Sequence, residues 1–102
     1  MQITLFYITN STRESALSLG LKAVEKKLAA CLNVFPIHSA YEWNEDIQHE
    51  NEFVLILKTS VTRQQELRSF LEEKHPFDIP CILSWNVQVN DKYGKWVEEK
   101  VT

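Results

Sequence analysis

The chain has 102 residues, and its 14 acidic and 11 basic side chains give a formal net charge of −3. This length supports one hydrophobic core, so residues 1–102 are expected to form a single domain. The slight acidic excess and the lack of a Lys/Arg stripe argue against a nucleic-acid partner, and no apolar segment is long enough to predict a membrane span. Without an export signal, we expect a cytoplasmic location and free thiols at Cys31 and Cys81.

The first two predicted elements are a strand and an amphipathic helix. Residues 2–8 are rich in β-branched and aromatic side chains, which favour a strand. Ser11 and Glu14 have the spacing of a capping box, which predicts the start of a helix. The apolar side chains of this helix recur at helical spacing: Leu17, Leu21, Val24 and Leu28. Such a stripe needs a sheet to cover it.

A long hairpin is predicted for the middle of the chain. Residues 31–43 form one strand, which bends near Pro36 because proline lacks a donor for the strand ladder. Residues 44–46 form a tight turn, and residues 47–59 return as a second long strand. Together the two strands make an extended hairpin arm.

A short helix, a strand and a final helix are predicted to complete the chain. Thr62 and Gln65 form a second capping box, and the helix that they begin ends before Pro76. Alternating apolar residues predict a strand over residues 79–89. Asn90 can cap a last helix, whose apolar side chains are Tyr93, Trp96, Val97 and Val101.

This order of elements predicts an α+β domain with the ferredoxin-like βαββαβ topology, a long hairpin between the second and third strands, and a C-terminal helix. Residues 53–57 are apolar at every position, although a strand covered on one side only should alternate. We therefore expect another copy of the chain to cover the second face of the sheet. The alternative is that a neighbouring loop or the last helix covers it.

Four strings of sequence resemble one known family in their order and spacing. They are LAACLN at residues 28–33, YEW at 41–43, ENEFVLILKT at 50–59 and HPFDIP at 75–80. Over nearly the whole chain they resemble the pattern of the CutA divalent-cation-tolerance family. The resemblance implies a homotrimer of ferredoxin-like subunits, similar in architecture to the PII signalling proteins, with crevices between subunits. It also implies a link to tolerance of divalent metals such as copper.

Two positions depart from the CutA pattern. Glu45 and Asp46 stand where the family usually has Gly-Lys at the hairpin turn, which removes a residue suited to positive φ. Cys81 follows Pro80 where the family usually has Glu. If the family's crevice binds a metal through that position, the thiol shifts the preferred ion toward Cu(I) or Zn.

The candidate metal ligands are Cys31, His75 and Cys81, which lie on separate elements without CxxC or HxxxH spacing. Each cysteine can instead be a small buried apolar residue, and His75 can interact with the last carbonyls of the preceding helix. The resemblance to CutA places His75 and position 81 near an intersubunit crevice, which favours the metal role. No obligatory cofactor is predicted, and Cu and Zn are the metals expected there.

The other expected crevice or interface residues are Tyr41, Trp43, Glu52, Lys58 and Trp85. We expect the aromatic residues to pack across a contact between subunits. Lys58 ends an apolar strand, so it needs water, an anion or a carboxylate partner such as Glu50 or Glu52. His38 and His49 lie on the two strands of the hairpin and are assigned no role.

The sequence contains no GxSxG, P-loop or HExxH string, so we expect a protein that is not an enzyme. The predicted function is that of a trimeric divalent-cation-tolerance protein, which binds or responds to copper or another divalent metal at intersubunit crevices. The alternative is a structural or signalling trimer that acts through protein partners without a physiological metal. A small hydrolase built on His75 and Cys81 is the third possibility, and the missing motifs disfavour it.

Overall fold

A computed structural model describes all 102 residues. Its elements are β1 (Gln2–Asn10), α1 (Arg13–Glu25), β2 (Cys31–Trp43), β3 (Asp46–Thr59), a 3₁₀ turn (Val61–Arg63), α2 (Gln64–Lys74), β4 (Ile82–Gln88) and α3 (Asp91–Lys100). The four strands form one antiparallel sheet in the order β2-β3-β1-β4. This arrangement confirms the predicted ferredoxin-like topology, and the long hairpin begins and ends within one residue of its predicted bounds.

The hydrophobic core lies between one face of the sheet and the helices α1 and α2. Phe6 and Ile8 of β1, with Leu55 and Leu57 of β3, are fully buried there. The helices contribute Ala16, Leu19, Ala23, Leu67, Phe70 and Leu71 to the same cluster. Residues two apart on a strand share a face, so the side chains between these strand positions point to the opposite side of the sheet.

The opposite side of the sheet, which we call the open face, is only partly covered. Its rows follow the strand register, since Leu5 pairs with Lys58 and Trp85, and Tyr7 pairs with Ile56 and Leu83. Helix α3 packs over one end, where the Lys58 amino group donates to the Tyr93 hydroxyl at 3.4 Å. The last helix therefore covers part of this face, as the alternative expectation held, and leaves the rest exposed.

The buried face of helix α1 matches the predicted stripe only in part, since Leu28 lies in the core and Val24 packs against it, whereas small residues form the centre of the contact. Its buried residues are Ala16, Leu19, Gly20 and Ala23, whereas Leu21 of the predicted stripe is 51% exposed. Close approach to the sheet explains the difference, because a Cβ at Gly20 would lie 2.8 Å from Cδ1 of Leu55. Small residues form the contact between α1 and the sheet, and the spacing of large apolar side chains does not detect them.

The caps of the first two helices also differ from their predicted positions. Thr12, rather than Ser11, caps α1, since its hydroxyl accepts from the Ser15 N–H at 3.0 Å. The predicted Thr62 box is wrong, because Ser60 accepts from the Arg63 N–H at 3.3 Å and starts the 3₁₀ turn that leads into α2. Several hydroxyls cluster at each boundary, so spacing alone could not select the one that caps.

The second half of the chain fits the prediction with one shortened strand. Strand β4 begins at Ile82, so Ile79 and Cys81 lie in the loop before it rather than in the strand. Helix α3 starts after Asn90 as expected, although the Asn90 side chain makes no capping hydrogen bond. The β2–β3 turn is formed by Asn44 and Glu45, both at positive φ, at 53° and 68°.

A Schellman motif ends helix α1. The Leu28 N–H donates to the Ala23 carbonyl at 2.9 Å, and the Lys27 N–H donates to the Val24 carbonyl at 3.0 Å. Lys27 lies at the C′ position with φ of 59°, where glycine is the usual residue. A side chain at this φ costs about 1 kcal/mol, so Lys27 is a mildly strained residue in an otherwise regular helix end.

Lys27→Gly is expected to raise the free energy of unfolding by about 0.5 kcal/mol, because relief of the strained φ outweighs the extra chain entropy of glycine. Denaturant unfolding at fixed protein concentration measures this difference. Lys26→Gly is the matched control, since Lys26 has the same charge but φ of −81°. The control is expected to lose stability, and equal effects of the two substitutions would contradict the explanation.

Candidate metal-binding crevice

A crevice of about 720 Å³ opens between the hairpin arm and the loop that precedes β4. Its acidic lining residues are Glu50, Glu52 and Asp78; its aromatic ones are Tyr41, Trp43 and Phe77; Cys81 supplies the thiol. The sequence had singled out Tyr41, Trp43, Glu52 and Cys81 of this set. Asp78 and Phe77 were missed as site residues, although both lie in the HPFDIP string that carried the family resemblance.

The arm directs its crevice residues through the register of the hairpin. Ile37 pairs with Glu52, Ser39 with Glu50, and Tyr41 with Gln48. Successive side chains alternate across a strand, so Tyr41, Glu50 and Glu52 project from the same side of the arm. This side continues the open face of the sheet, and the crevice therefore borders the uncovered surface.

Glu52 is the most unusual residue of the crevice, because it is a carboxylate that is only 8% exposed. It forms neither of the two salt bridges in the structure, which join Arg63 to Glu66 and Lys74 to Glu73. A buried carboxylate without a cation is costly, and such groups are normally paired or coordinate a metal. The crevice thus holds a negative charge that the subunit itself does not neutralise.

Tyr41 reports the same negative environment. Its pKa is raised above the ordinary value of 10.0, mainly by a hydrogen bond to the Glu50 carboxylate, then by desolvation and by repulsion from Glu50 and Glu52. A hydrogen bond donated by the neutral phenol favours the protonated form, and nearby negative charge does the same. Tyr41 therefore stays protonated at neutral pH, and its phenol can donate a hydrogen bond to the Glu50 carboxylate.

His75 anchors the loop wall of the crevice. Its side chain is 7% exposed, and Nε2 lies 2.8 Å from the Thr9 carbonyl oxygen, so Nε2 carries the hydrogen and donates it. Nδ1 then accepts from the Phe77 N–H at 3.2 Å, and the ring packs edge-on against the Phe77 ring. Both ring nitrogens are used by the backbone, which ties the end of α2 to the end of β1.

The structure does not bring the three predicted metal ligands together within one subunit. Cys31 lies on β2, beside Lys58, whereas Cys81 precedes β4 at the opposite edge of the sheet. Each cysteine is half-buried and free. No group of three or more His, Cys, Asp or Glu side chains has the spacing of a metal site. Of the predicted set, only Cys81 faces the crevice, and His75 stands behind its wall.

The remaining predicted residues lie along the open face. Trp85 is 45% exposed and Trp43 is 54% exposed, as suits residues expected to meet another subunit. Lys58 donates to Tyr93 and lies 5.4 Å from the centre of that ring, so within the subunit its partner is an aromatic residue rather than Glu50 or Glu52.

The comparison with known proteins decides the family. The family described as CutA1 divalent ion tolerance protein matches residues 4–100. The chain belongs to this family. The CutA divalent-cation tolerance protein of Thermotoga maritima is 38% identical over 98 residues, which cover 95% of this chain and 97% of the relative.

Solved CutA structures show the same fold. The CutA1 structure from Ehrlichia chaffeensis has a TM-score of 0.95 at 34% identity, covering 98% of this chain and 95% of that one. The structure of the periplasmic CutA protein from Archaeoglobus fulgidus has a TM-score of 0.92 at 33% identity, covering 100% of both chains. Membership in the CutA1 family and the ferredoxin-like fold are thus confirmed together.

The cellular location of this CutA1 family member stays a prediction. None of its three helices combines the length and the apolar character required to cross a membrane. Its relatives are named for different compartments, since the Archaeoglobus structure is called periplasmic and the Arabidopsis thaliana relative, at 34% identity, is called chloroplastic.

Proposed function

We propose that the chain is a homotrimeric divalent-cation tolerance protein, not an enzyme, that binds Cu or Zn in crevices completed by a neighbouring subunit. The observation that carries the proposal is Glu52, a buried carboxylate without a cation, which lines the same crevice as the Cys81 thiol. Membership in a family described by tolerance of divalent ions supports the same conclusion.

The exposed apolar side chains of the open face support self-association. Leu83, Trp85 and Phe35 are 54%, 45% and 40% exposed, and they lie on the same side of the sheet as the crevice. Several large apolar side chains exposed on one face are typical of a protein interface. A copy that covers this face would border the crevice, and the number of three subunits is the one that the resemblance to CutA implies.

The donor atoms of the crevice fit a borderline or soft divalent ion better than a hard one. The carboxylates of Glu50, Glu52 and Asp78 suit many cations, whereas a thiolate such as that of Cys81 favours Cu or Zn over Mg or Ca. His75 contributes by fixing the loop, because its nitrogens are already bonded to Thr9 and Phe77. Cys31 lies outside the crevice.

Glu52→Gln and Cys81→Ser are each expected to weaken Zn and Cu(I) binding more than about tenfold, since loss of a ligand costs at least as much as loss of an outer-shell partner. Equilibrium dialysis of the purified chain with each ion measures the change. Cys31→Ser is the matched control, because it removes the same chemical group from outside the crevice.

Equal metal uptake by all three variants and the native chain would overturn the crevice site. The alternative function, a structural or signalling trimer without a physiological metal, would then be favoured. Capture of one stoichiometric protein partner in the presence of a chelator would support that alternative directly.

A further inference from the structure

Two histidines face each other on the hairpin arm, on the side opposite the crevice. His38 pairs with Asn51 and His49 pairs with Ala40 in the β2–β3 register, so all four project from one side of the arm. Both imidazoles are exposed, and the residues facing the crevice alternate with them along the strands. The pair therefore lies outside the crevice proposed above.

The geometry of this His38–His49 pair is close. Nε2 of His38 lies 3.1 Å from Nδ1 of His49, and the ring centroids are 5.3 Å apart with 29° between the ring planes. Nδ1 of His38 lies 3.3 Å from the Asn51 side-chain oxygen, which can only accept, so His38 donates from Nδ1. Nε2 of His38 then carries no hydrogen, and it accepts a hydrogen bond from the Nδ1–H of His49.

We propose that His38 and His49 chelate one divalent transition-metal ion, Cu²⁺ most tightly and Zn²⁺ less so. With metal–nitrogen bonds of about 2.05 Å, the 3.1 Å separation gives an N–metal–N angle of about 98°, between square-planar and tetrahedral values. The ion replaces the hydrogen that the two rings share and lies to one side of the line between the two nitrogens, so both rings turn slightly toward it. His49 moves that hydrogen from Nδ1 to its exposed Nε2, so a neutral pair binds without net loss of a proton.

Asn51 completes the arrangement as a positioning residue. A histidine that binds metal usually donates its other ring N–H to an oxygen, which fixes the tautomer and the ring orientation. The Asn51 oxygen does this for His38 before any ion arrives. No third His, Cys, Asp or Glu joins the pair, so water fills the other coordination positions and the ion can exchange readily.

The His38–His49 site depends on the hairpin register and not on the crevice residues, so an experiment can test it separately from the crevice site. Cu²⁺ is titrated into the full chain carrying Cys31→Ser and Cys81→Ser, because these changes remove both thiols that reduce Cu²⁺. Calorimetry gives the affinity, and electron paramagnetic resonance counts the bound nitrogens. We expect one Cu²⁺ per subunit with two imidazole nitrogens.

His38→Gln, His49→Gln and the double variant form a cycle in this background. In a chelate the second imidazole binds at high effective concentration, so either single substitution is expected to weaken binding by about 100-fold, nearly as much as both together. Asn51→Ala is expected to weaken it by about tenfold. The control variant carries His49→Gln together with Lys92→His, so it keeps the native number of histidines but has the new one away from the arm. Its Cu²⁺ affinity is expected to stay as low as that of His49→Gln alone.

If the losses of Cu²⁺ affinity in the two single variants simply add in the double variant, the two histidines act independently and the chelate is overturned. An electron paramagnetic resonance signal from only one bound nitrogen would overturn it as well. The outcome is distinct from that of the crevice test. Loss of the crevice site leaves the His38–His49 affinity unchanged, and loss of this pair leaves the dependence of metal uptake on Cys81 unchanged.

Discussion

Leu83→Asp is expected to dissociate the proposed trimer into monomers. Leu83 projects from β4 on the open face, pairs with Tyr7 and is 54% exposed in the subunit. The substitution removes apolar burial and forces a carboxylate out of water, together about 3 kcal/mol in each copy. Three copies lose about 9 kcal/mol, which lowers the assembly constant by a factor of roughly 10⁶.

Sedimentation velocity at micromolar concentration measures the result as a fall to one third of the native mass. Leu21→Asp is the matched control, because Leu21 is also a half-exposed leucine, at 51%, but projects from α1 on the helix side. The control is expected to keep the native mass. A native chain that sediments as a monomer, or a Leu83 variant that keeps the native mass, would contradict assembly through the open face.

The sequence was sufficient to predict the fold where the physical signal was local and strong. The hairpin bounds followed from long β-branched and apolar runs around a polar turn at residues 44–46. The predicted buried face of α1 was partly wrong because Gly20, which lies close to Leu55 of the sheet, and the buried Ala23 are small residues, which give almost no signal in a hydrophobic pattern. The predicted capping residues were wrong for a related reason, since neighbouring Ser and Thr residues are equivalent as caps until the backbone conformation is known.

The crevice could be predicted only in part. Tyr41, Trp43 and Glu52 share one side of a hairpin whose register follows from its turn, so alternation already groups them. Cys31 and His75 could not be placed in this way. Whether two edge strands meet depends on the sheet order, and the use of both His75 nitrogens depends on the approach of Thr9, which lies 66 positions away along the chain.

The same hairpin register also determines that His38 and His49 lie close together. A turn at Asn44 and Glu45 aligns Trp43 with Asp46, and counting outward brings His38 opposite Asn51 and diagonal to His49. Diagonal neighbours on one face lie within reach of long or ring side chains. The contact was therefore contained in the sequence once the turn was fixed to two residues, and an unspecified turn at residues 44–46 left the facing side undetermined.

His75→Ala is expected to lower the free energy of unfolding by about 3 kcal/mol. The substitution removes a buried ring and two part-buried hydrogen bonds, one to the Thr9 carbonyl and one from the Phe77 N–H, each worth about 0.5–1.5 kcal/mol. Denaturant unfolding at a fixed subunit concentration measures the loss, because assembly makes stability depend on concentration. Lys74→Ala is the control, since Lys74 is the adjacent residue and its only ion pair, to Glu73, is exposed.

The stability of Glu52→Gln distinguishes a metal ligand from an anchor. Both Glu52 and His75 are expected to matter for metal uptake, Glu52 through its carboxylate and His75 by holding the loop that carries Asp78 and Cys81. Without metal, Glu52→Gln removes an unpaired buried charge, so its free energy of unfolding should stay equal or rise, whereas that of His75→Ala should fall. A loss of stability in Glu52→Gln as large as that in His75→Ala would mean that Glu52 supports the fold, and the crevice would then lack the ligand on which the proposed function depends.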